Sequence, residues 1–349
     1  MRWRSPRNFR ILALVVLAVV VGGCTPPPPP PPPEEGMLSV YFLDVEQGNC
    51  ILVVSPTGTA ALIDAGTGQG GDDSSDADPV EFTDALKSGM VGLQLKYLIA
   101  THYDADHIGK LVDVLQTQPA VTASDYQLLT RQGGWVKPSP PSAAYSYISS
   151  VGPQHRATLA PSDVIDLGGG VTLTCYAAGG EYWDGAASQT VALAPTDENG
   201  RSIALILSYH DVKMWFGGDL GDDVEQALAP HLPDVDVYAV DHHGSNGSSA
   251  LSFLQALKPE YAICQSGETN DYGHPNKVAL SRILSVSSTG GGPPLFIQQN
   301  HAKPGDDRSS DALASAIADP DGSGPLPGTI TITTDGFDVA VTWPDSAGP

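Results

Sequence analysis

Basic residues are scarce in this chain. Seventeen lysines and arginines stand against 40 aspartates and glutamates in 349 residues, a formal charge of −23. A body this acidic repels polyanions, and nucleic-acid binding depends on Lys and Arg neutralising phosphates. No basic stripe interrupts the sequence, so long DNA or RNA is excluded as the default partner, although a bound metal can make one point of an acidic protein positive. Cysteine is also sparse, at four residues with no Cys-x-x-Cys pair. That removes the paired-thiol motifs of metal and redox sites. Cys50, Cys175 and Cys264 each lie in an apolar, strand-like run and read as buried thiols, with one disulfide open to them in an exported protein. Bilayer-length apolar runs are lacking too: Ile11–Val21 is unbroken but too short to span a membrane unaided.

What the N-terminus does contain is an export signal. Arg2, Arg4, Arg7 and Arg10 precede the apolar run, and Val21-Gly22-Gly23-Cys24 follows it. The last four residues resemble a bacterial lipobox. The resemblance implies cleavage before Cys24 and lipid on that cysteine, giving an exported, membrane-anchored lipoprotein in the periplasm or on the cell surface. An uncleaved anchor and an ordinary secretory signal are the alternatives. Removing residues 1–23 takes four arginines and no acid, which leaves −27. Residues 24–36 then form a tether, with Pro26–Pro33 a stiff extended spacer of roughly 25 Å. Pro26 stands where an inner-membrane retention signal would have Asp.

The pattern beyond the tether predicts one large domain over 37–303 and a C-terminal extension over 304–349. Strand patterns cover Leu38–Asp44, Asn49–Ser55 and Ala60–Asp64, a helix pattern Pro79–Ser88, and a buried strand Leu93–Thr101 before a helix from Ile108 to Leu115. Residues 117–162 lack a clear period and read as a variable insertion. Later, strands (Val171–Tyr176, Arg201–Ser208, Val212–Phe216, Val235–Val240, Tyr261–Gln265, Leu295–Gln299) mix with helices (Asp222–Leu228, Ser249–Leu257, Lys277–Val286). Residues 302–327 are rich in Asp, Ser, Gly and Pro, and Asp335-Gly336 marks a closing hairpin between Thr329–Thr334 and Phe337–Trp343. The mix predicts α/β layers with helices outside two sheets.

Polar residues gather where strand patterns end. His102-Tyr103-Asp104-Ala105-Asp106-His107 packs two imidazoles and two carboxylates into six positions. Those donors suit Zn²⁺, Mn²⁺ or Fe²⁺, and the spacing allows two metals. Asp64 ends Ala-Leu-Ile-Asp, Asp219 ends Trp-Phe-Gly-Gly-Asp, Asp241-His242-His243-Gly244-Ser245 follows Val235–Val240, and Asn270-Asp271-Tyr272-Gly273-His274-Pro275 follows Tyr261–Gln265. Taken singly, Asp219 reads as a helix N-cap, His242-His243-Gly244-Ser245 as a turn, and Tyr272-Gly273-His274-Pro275 as a loop with one surface histidine.

Together with Leu43-Asp44-Val45-Glu46-Gln47-Gly48-Asn49, these motifs resemble, in order, the metallo-β-lactamase superfamily, in its ComEC-type competence-protein branch, over about residues 38–287. The resemblance implies a four-layer αββα sandwich with two divalent metal ions, Zn or Mn, between the sheets. It implies His102 and Asp104 on the first metal, Asp106, His107 and His274 on the second, and Asp219 bridging. It places His242 and His243 as a catalytic pair near the scissile bond, and Asp64 behind a metal ligand, orienting it. Asp104 stands where the superfamily commonly has His, and this harder ligand favours Mn²⁺ without excluding Zn²⁺. Glu46, Asn49 and Lys110 stand where the branch commonly has Gly, Asp and Gly. Lys110 is a candidate for holding a substrate anion. No convincing third histidine for the first metal is legible; His155, in the irregular region, is the candidate, and His210 sits in a hairpin turn and reads as solvated.

The implied function is a metal-dependent hydrolase using a metal-bridged hydroxide, with Asp106 essential. The branch and the paired histidines favour a phosphodiester over an amide. Charge and export favour a small or lipid-linked phosphodiester, or short nucleic acid. A lactone or β-lactam hydrolase on the same site and a catalytically silent metal-binding surface protein are the competing readings.

Overall fold

A computed structural model describes residues 36–66, 93–117, 125–137, 139, 142–185, 190–192, 197–267, 270–300, 306–309 and 328–342. Cys24, the proline tether and the helix expected over Pro79–Ser88 lie outside them.

The first strands alternate with period two, and both of their faces are apolar. In β1 (Leu38–Phe42), Leu38, Val40 and Phe42 point one way and Tyr41 the other; β2 (Ile51–Val54) and β3 (Thr59–Ile63) repeat this with Ile51, Val53, Ala61 and Ile63 against Leu52, Val54, Ala60 and Leu62. Two apolar faces require cover on both sides, and that requirement sets the layering. One face meets the second sheet and the other meets helices.

The first sheet adds β4 (Gln94–Ala100), β5 (Gln127–Arg131), β6 (Arg156–Leu159), β16 (Ile330–Thr334) and β17 (Val339–Thr342), in the order β17-β16-β1-β2-β3-β4-β5-β6. Pairing is antiparallel from β17 to β3 and parallel from β3 to β6. The second sheet holds β7 (Val164–Gly168), β8 (Val171–Ala178), β9 (Glu181–Trp183), β10 (Thr190–Ala192), β11 (Ala204–Tyr209), β12 (Val212–Phe216), β13 (Val237–Ala239), β14 (Tyr261–Cys264) and β15 (Leu295–Gln298). Its order is β10-β9-β8-β11-β12-β13-β14-β15, with β7 beside β8, and it too turns parallel, from β12 onward.

Three apolar cores follow. Phe42, Ile63, Leu173, Leu205, Met214 and Phe216 fill the space between the sheets. Short helices α1 (Ala105–Ile108), α2 (Leu111–Thr117) and α3 (Ala143–Ser150) supply Ile108, Leu111, Val114 and Ile148 to the outside of the first sheet. Helices α4 (Asp222–Leu228), α5 (Leu251–Leu257) and α6 (Lys277–Ser285) supply Leu228, Phe253, Leu254 and Ile283 to the outside of the second. The four-layer αββα sandwich is present. Cys50, Cys175 and Cys264 are buried free thiols. Among the described residues no helix is long and apolar enough to cross a membrane.

Two segments differ from the sequence pattern. The aperiodic stretch 117–162 carries β5, α3 and β6, which extend the first sheet. The helix expected to run unbroken from Ile108 is interrupted between α1 and α2. Asp106 O accepts from Asn49 N (2.9 Å), and Lys110 N donates to Ala65 O (2.8 Å). The i to i+4 bond of a continuous helix has lost both its partners to neighbouring chain. The C-terminal hairpin forms as expected, and β16 pairs with β1, so it belongs to the first sheet.

Candidate metal centre

Each chemical motif sits where a parallel strand ends. Asp64 follows β3, His102–His107 follow β4, Asp219 follows β12, His242 and His243 follow β13, and Asn270–His274 lie beyond β14. Strand twist and common direction bring these ends to one edge of the sandwich.

Asp64 is the anchor on the first sheet. It is fully buried at a left-handed φ of +59°, a conformation a non-glycine residue holds only when its surroundings enforce it. Its carboxylate accepts from Thr101 N (2.8 Å) and Thr101 Oγ1 (2.7 Å) and pairs with His107 Nδ1 at 2.7 Å. With Nδ1 committed, His107 Nε2 points at Asp219 Oδ1, 3.0 Å away. Gly66 makes room for this: a Cβ there would lie 1.9 Å from Asp106 O.

On the second sheet, the turn Asp241–Gly244 holds His242 and His243 both at φ +52°. His242 N donates to Gly218 O (2.9 Å), and Ser248 Oγ donates to Asp241 O (2.9 Å). Beneath the turn, Asp241 accepts from Trp215 Nε1 (3.0 Å), and Tyr238 Oη accepts from Asp241 N (3.1 Å). His243 Nδ1 lies 3.0 Å from Gln265 O, so that nitrogen carries the proton and Nε2 faces the cluster. His243 Nε2 is 3.4 Å from Asp219 Oδ1, 3.5 Å from Asp106 Oδ2 and 3.3 Å from His107 Nε2. Asp106, His107, Asp219 and His243 thus form one donor set, with all four atoms within 4.8 Å of one another.

Asp219 turns its other oxygen to a second set. Oδ2 lies 3.9 Å from His102 Nε2 and 3.7 Å from His242 Nε2, and Asp104 Oδ2 lies 3.7 Å from His102 Nε2. Asn199 Nδ2, 3.1 Å from His242 Nε2, borders this set.

The charges interlock. Burial disfavours ionised Asp219, but the fields of His107, His243 and His242 outweigh it and hold the carboxyl well below its usual range. Burial likewise opposes ionisation of Asp106, yet the His243 hydrogen bond and the nearby imidazoles keep it low. Burial would depress His107, but Asp219 and Asp64 lift it well above an ordinary histidine, and Asp219 and Asp106 lift His243. His242 is lowered, chiefly by burial. Burial and the neighbouring imidazoles push His274 down to about 3.

A model of the metallo-beta-lactamase superfamily matches residues 43–267, more than half of the chain. The chain belongs to the metallo-beta-lactamase superfamily. It is similar to ComE operon protein 3 of Bacillus subtilis, 35% identical over 26% of this chain and 12% of that protein. It is similar to competence protein ComA of Neisseria gonorrhoeae, 36% identical over 25% of this chain and 13% of that one. Recombination protein 2 of Haemophilus influenzae is 25% identical over 70% of this chain and 26% of its own length. The chain therefore spans between about an eighth and a quarter of these curated relatives. Among solved structures, the metallo-beta-lactamase fold protein YhfI from Bacillus subtilis aligns at 10% identity and TM-score 0.42, over 74% of this chain and 95% of that one.

The donor sets fit the divalent ions that a metallo-beta-lactamase fold implies. Donors around a tetrahedral zinc with ~2.0–2.1 Å bonds lie about 3.3–3.5 Å apart. The His107–His243 set spans 3.0–3.5 Å on its measured edges, and the His102–His242 set is wider, at 3.7–3.9 Å. His102 Nε2 is buried without a hydrogen-bond partner and points into the wider set. An unsatisfied buried acceptor facing two carboxylates is what a cation would complete.

Against the expected site residues, the structure brings His102, Asp104, Asp106, His107 and Asp219 together and sets Asp64 behind His107. His243, expected as a catalytic residue, stands in the second donor set. His274, expected as a ligand, is not one of those four; its ring is stacked 6.2 Å from that of His243. Asp219 is not a helix cap, since Gly221 occupies that position for α4. His155 stacks on Tyr126 and His210 on Phe337, both outside the two sets. Lys110 meets Asp113 at 3.9 Å and does not line the cleft.

A cleft of about 440 Å³ opens over the two sets, lined by Gln47, Tyr103, Trp135, Lys137, Asn199, Tyr272 and His274 among others. Asn199, Trp135 and Lys137 were invisible to motif reading, because they lie on segments without period or signature. A buried ion pair between Arg131 and Glu198 secures their base. Tyr103 N donates to Glu198 Oε1 (3.2 Å), and the Arg131 guanidinium lies 4.4 Å from the Tyr103 ring.

Proposed function

We propose that this protein is a binuclear metal-dependent phosphodiesterase acting outside the cytoplasm. The observation that carries the reading is the division of Asp219: one carboxylate oxygen serves the Asp106–His107–His243 set, and the other serves the His102–Asp104–His242 set. His102, Asp104 and His242 would hold a first divalent ion, and Asp106, His107 and His243 a second, Zn or Mn in each case. When bound, such ions supply Lewis acidity and lower the pKa of a coordinated water toward neutrality.

The chain's own residues do the rest. Asp64 and Gln265 fix the tautomers of His107 and His243, so that both Nε2 atoms face Asp219. Asn199 lies beside His242 and would have to release its Nε2 for that nitrogen to take a metal. His274, kept neutral by burial and its neighbours, lines the cleft beside His242 at a ring separation of 5.5 Å and would offer an N–H hydrogen bond to charge developing on the departing oxygen. This exchanges the roles first expected of His243 and His274. The acidic body supports a small or lipid-linked phosphodiester, or short nucleic acid, over long polymers. The N-terminal arginines, apolar run and Cys24 support export and a lipid anchor.

The test is turnover of bis-p-nitrophenyl phosphate, nitrocefin and an acyl-lactone by protein loaded with Mn²⁺ or Zn²⁺. Metal-dependent phosphodiester hydrolysis that falls at least ~10²-fold in Asp219→Ala is expected. Turnover of the lactone or nitrocefin with none of the diester would replace the reading by the lactonase or lactamase alternative. Membrane fractionation of Cys24→Ser, with release into the soluble fraction expected, checks the anchor.

A further inference from the structure

We propose that Lys137 is the anion-recognition residue of the cleft, the group that selects a negatively charged diester over a neutral ester. The inference rests on the phosphodiesterase reading and names how that site would recognise its substrate.

An anionic substrate approaching a body of charge −23 meets repulsion, and the cleft itself presents Asp104, Asp106 and Asp219. Lys137 is the one lysine or arginine among the described residues that line it. Its ammonium bonds to Asp104 Oδ2, the oxygen that also faces His102 Nε2, so the cation sits at the mouth of the first donor set.

The backbone beneath Lys137 is held, and its tip is tied only by a half-exposed ion pair. Trp135 N donates to Tyr145 Oη (3.0 Å), Trp135 Nε1 donates to Ser139 O (2.7 Å), and Tyr145 packs edge-on against Tyr103 at 4.8 Å. The Lys137 side chain is 40% exposed, and partly exposed ion pairs of this kind are worth only ~0–1 kcal/mol. A cation in the first donor set would draw on the same Asp104 oxygen and leave the ammonium free to meet a ligand. A flexible stem ending in a compact charge with three donors suits one non-bridging phosphate oxygen. A neutral lactone has no such oxygen.

The test uses the full chain loaded with Zn²⁺, comparing the parent with Lys137→Gln and Lys137→Arg. Inorganic phosphate binding is measured by calorimetry at low salt, alongside KM and kcat for bis-p-nitrophenyl phosphate and metal content. Lys137→Gln is expected to weaken phosphate binding roughly 10-fold or more, which is the scale of one charge-assisted hydrogen bond. KM should rise by a similar factor, with kcat much less affected and metal content equal to the parent's. Lys137→Arg should recover most of the binding. Unchanged phosphate affinity and KM in Lys137→Gln would overturn the inference while leaving the phosphodiesterase reading intact, and so would a weakening that tracks lost metal. Lys137-dependent phosphate binding without any diester turnover would uphold the anion site and sink the phosphodiesterase reading instead.

Discussion

At the scale of single residues, Asp64 shows how much a side chain that faces neither cleft nor substrate can decide. It spends a strained φ of +59° to hold Thr101 and His107 together. Asp64→Asn keeps the shape but offers an amide nitrogen where His107 Nδ1–H needs an acceptor. Loss of such a partner typically costs 10–100-fold in metal affinity. A competition titration with a chromogenic chelator should show that loss, with far-ultraviolet circular dichroism unchanged; parent-like affinity would remove Asp64 from the site. Asp64 was legible in the sequence because it ends a strand pattern inside a recognisable motif. Lys137 was not, because nothing in residues 132–142 marks this lysine as a site residue until the chain is folded over Asp104.

At the scale of elements, the strained turn Asp241–Gly244 is carried by α4 and β13. Glu225 of α4 is fully buried and accepts from Ser249 N (2.9 Å) and Ala250 N (2.6 Å). Burial pushes its pKa up to about 7, and burial with Glu225 nearby pushes Asp241 well above the carboxylate range. These two acids lie too close to ionise together. Glu225 has a folded pKa above its unfolded value near 4.5, so its contribution is fully present below that value and is lost as pH rises through about 7. Glu225→Gln stays neutral at every pH and can donate to Asp241. Its stability, from denaturant titrations of chelator-treated protein, should fall less than the parent's between pH 5 and 8, by on the order of 2 kcal/mol. Parallel pH profiles for the two proteins would refute the shared proton. The acid in α4 reads in sequence as an ordinary first-turn glutamate; its burial comes only from α5 packing over it.

At the scale of the whole molecule, the candidate site lies where two sheets meet, with His102–His107 from one and Asp219, His242 and His243 from the other. Cations there would cross-link the halves of the sandwich and hold mutually repelling carboxylates together. Ligand linkage gives about 2.7 kcal/mol for a site filled at 100 times its Kd. For a domain of this size that corresponds to a Tm change of roughly 4–5 °C. Calorimetric scans with excess Zn²⁺ or Mn²⁺ and with EDTA should differ by that amount, and the shift should scale with free metal. Identical melting in both conditions would mean that the cluster does not bind these ions.

By itself, the sequence determined the strands that carry the motifs, the layers and the chemical inventory. Period-two alternation with apolar residues on both faces demands cover on both sides, and the His–Asp motifs fall at the ends of those strands. It also determined the order of motifs from which the superfamily could be named. Only the tertiary structure decided which donors converge. His243 rather than His274 joins Asp106 and His107 because a left-handed turn and the Gln265 carbonyl aim its Nε2 at Asp219. His242, and neither His155 nor His210, stands closest to the missing place beside His102. Lys137 replaces Lys110 as the cation of the cleft because β5 and α3 carry an aperiodic loop over the motif. Periodicity and motif spacing report local geometry along the chain; convergence at a site is set by how two sheets and their loops pack, which no local pattern encodes.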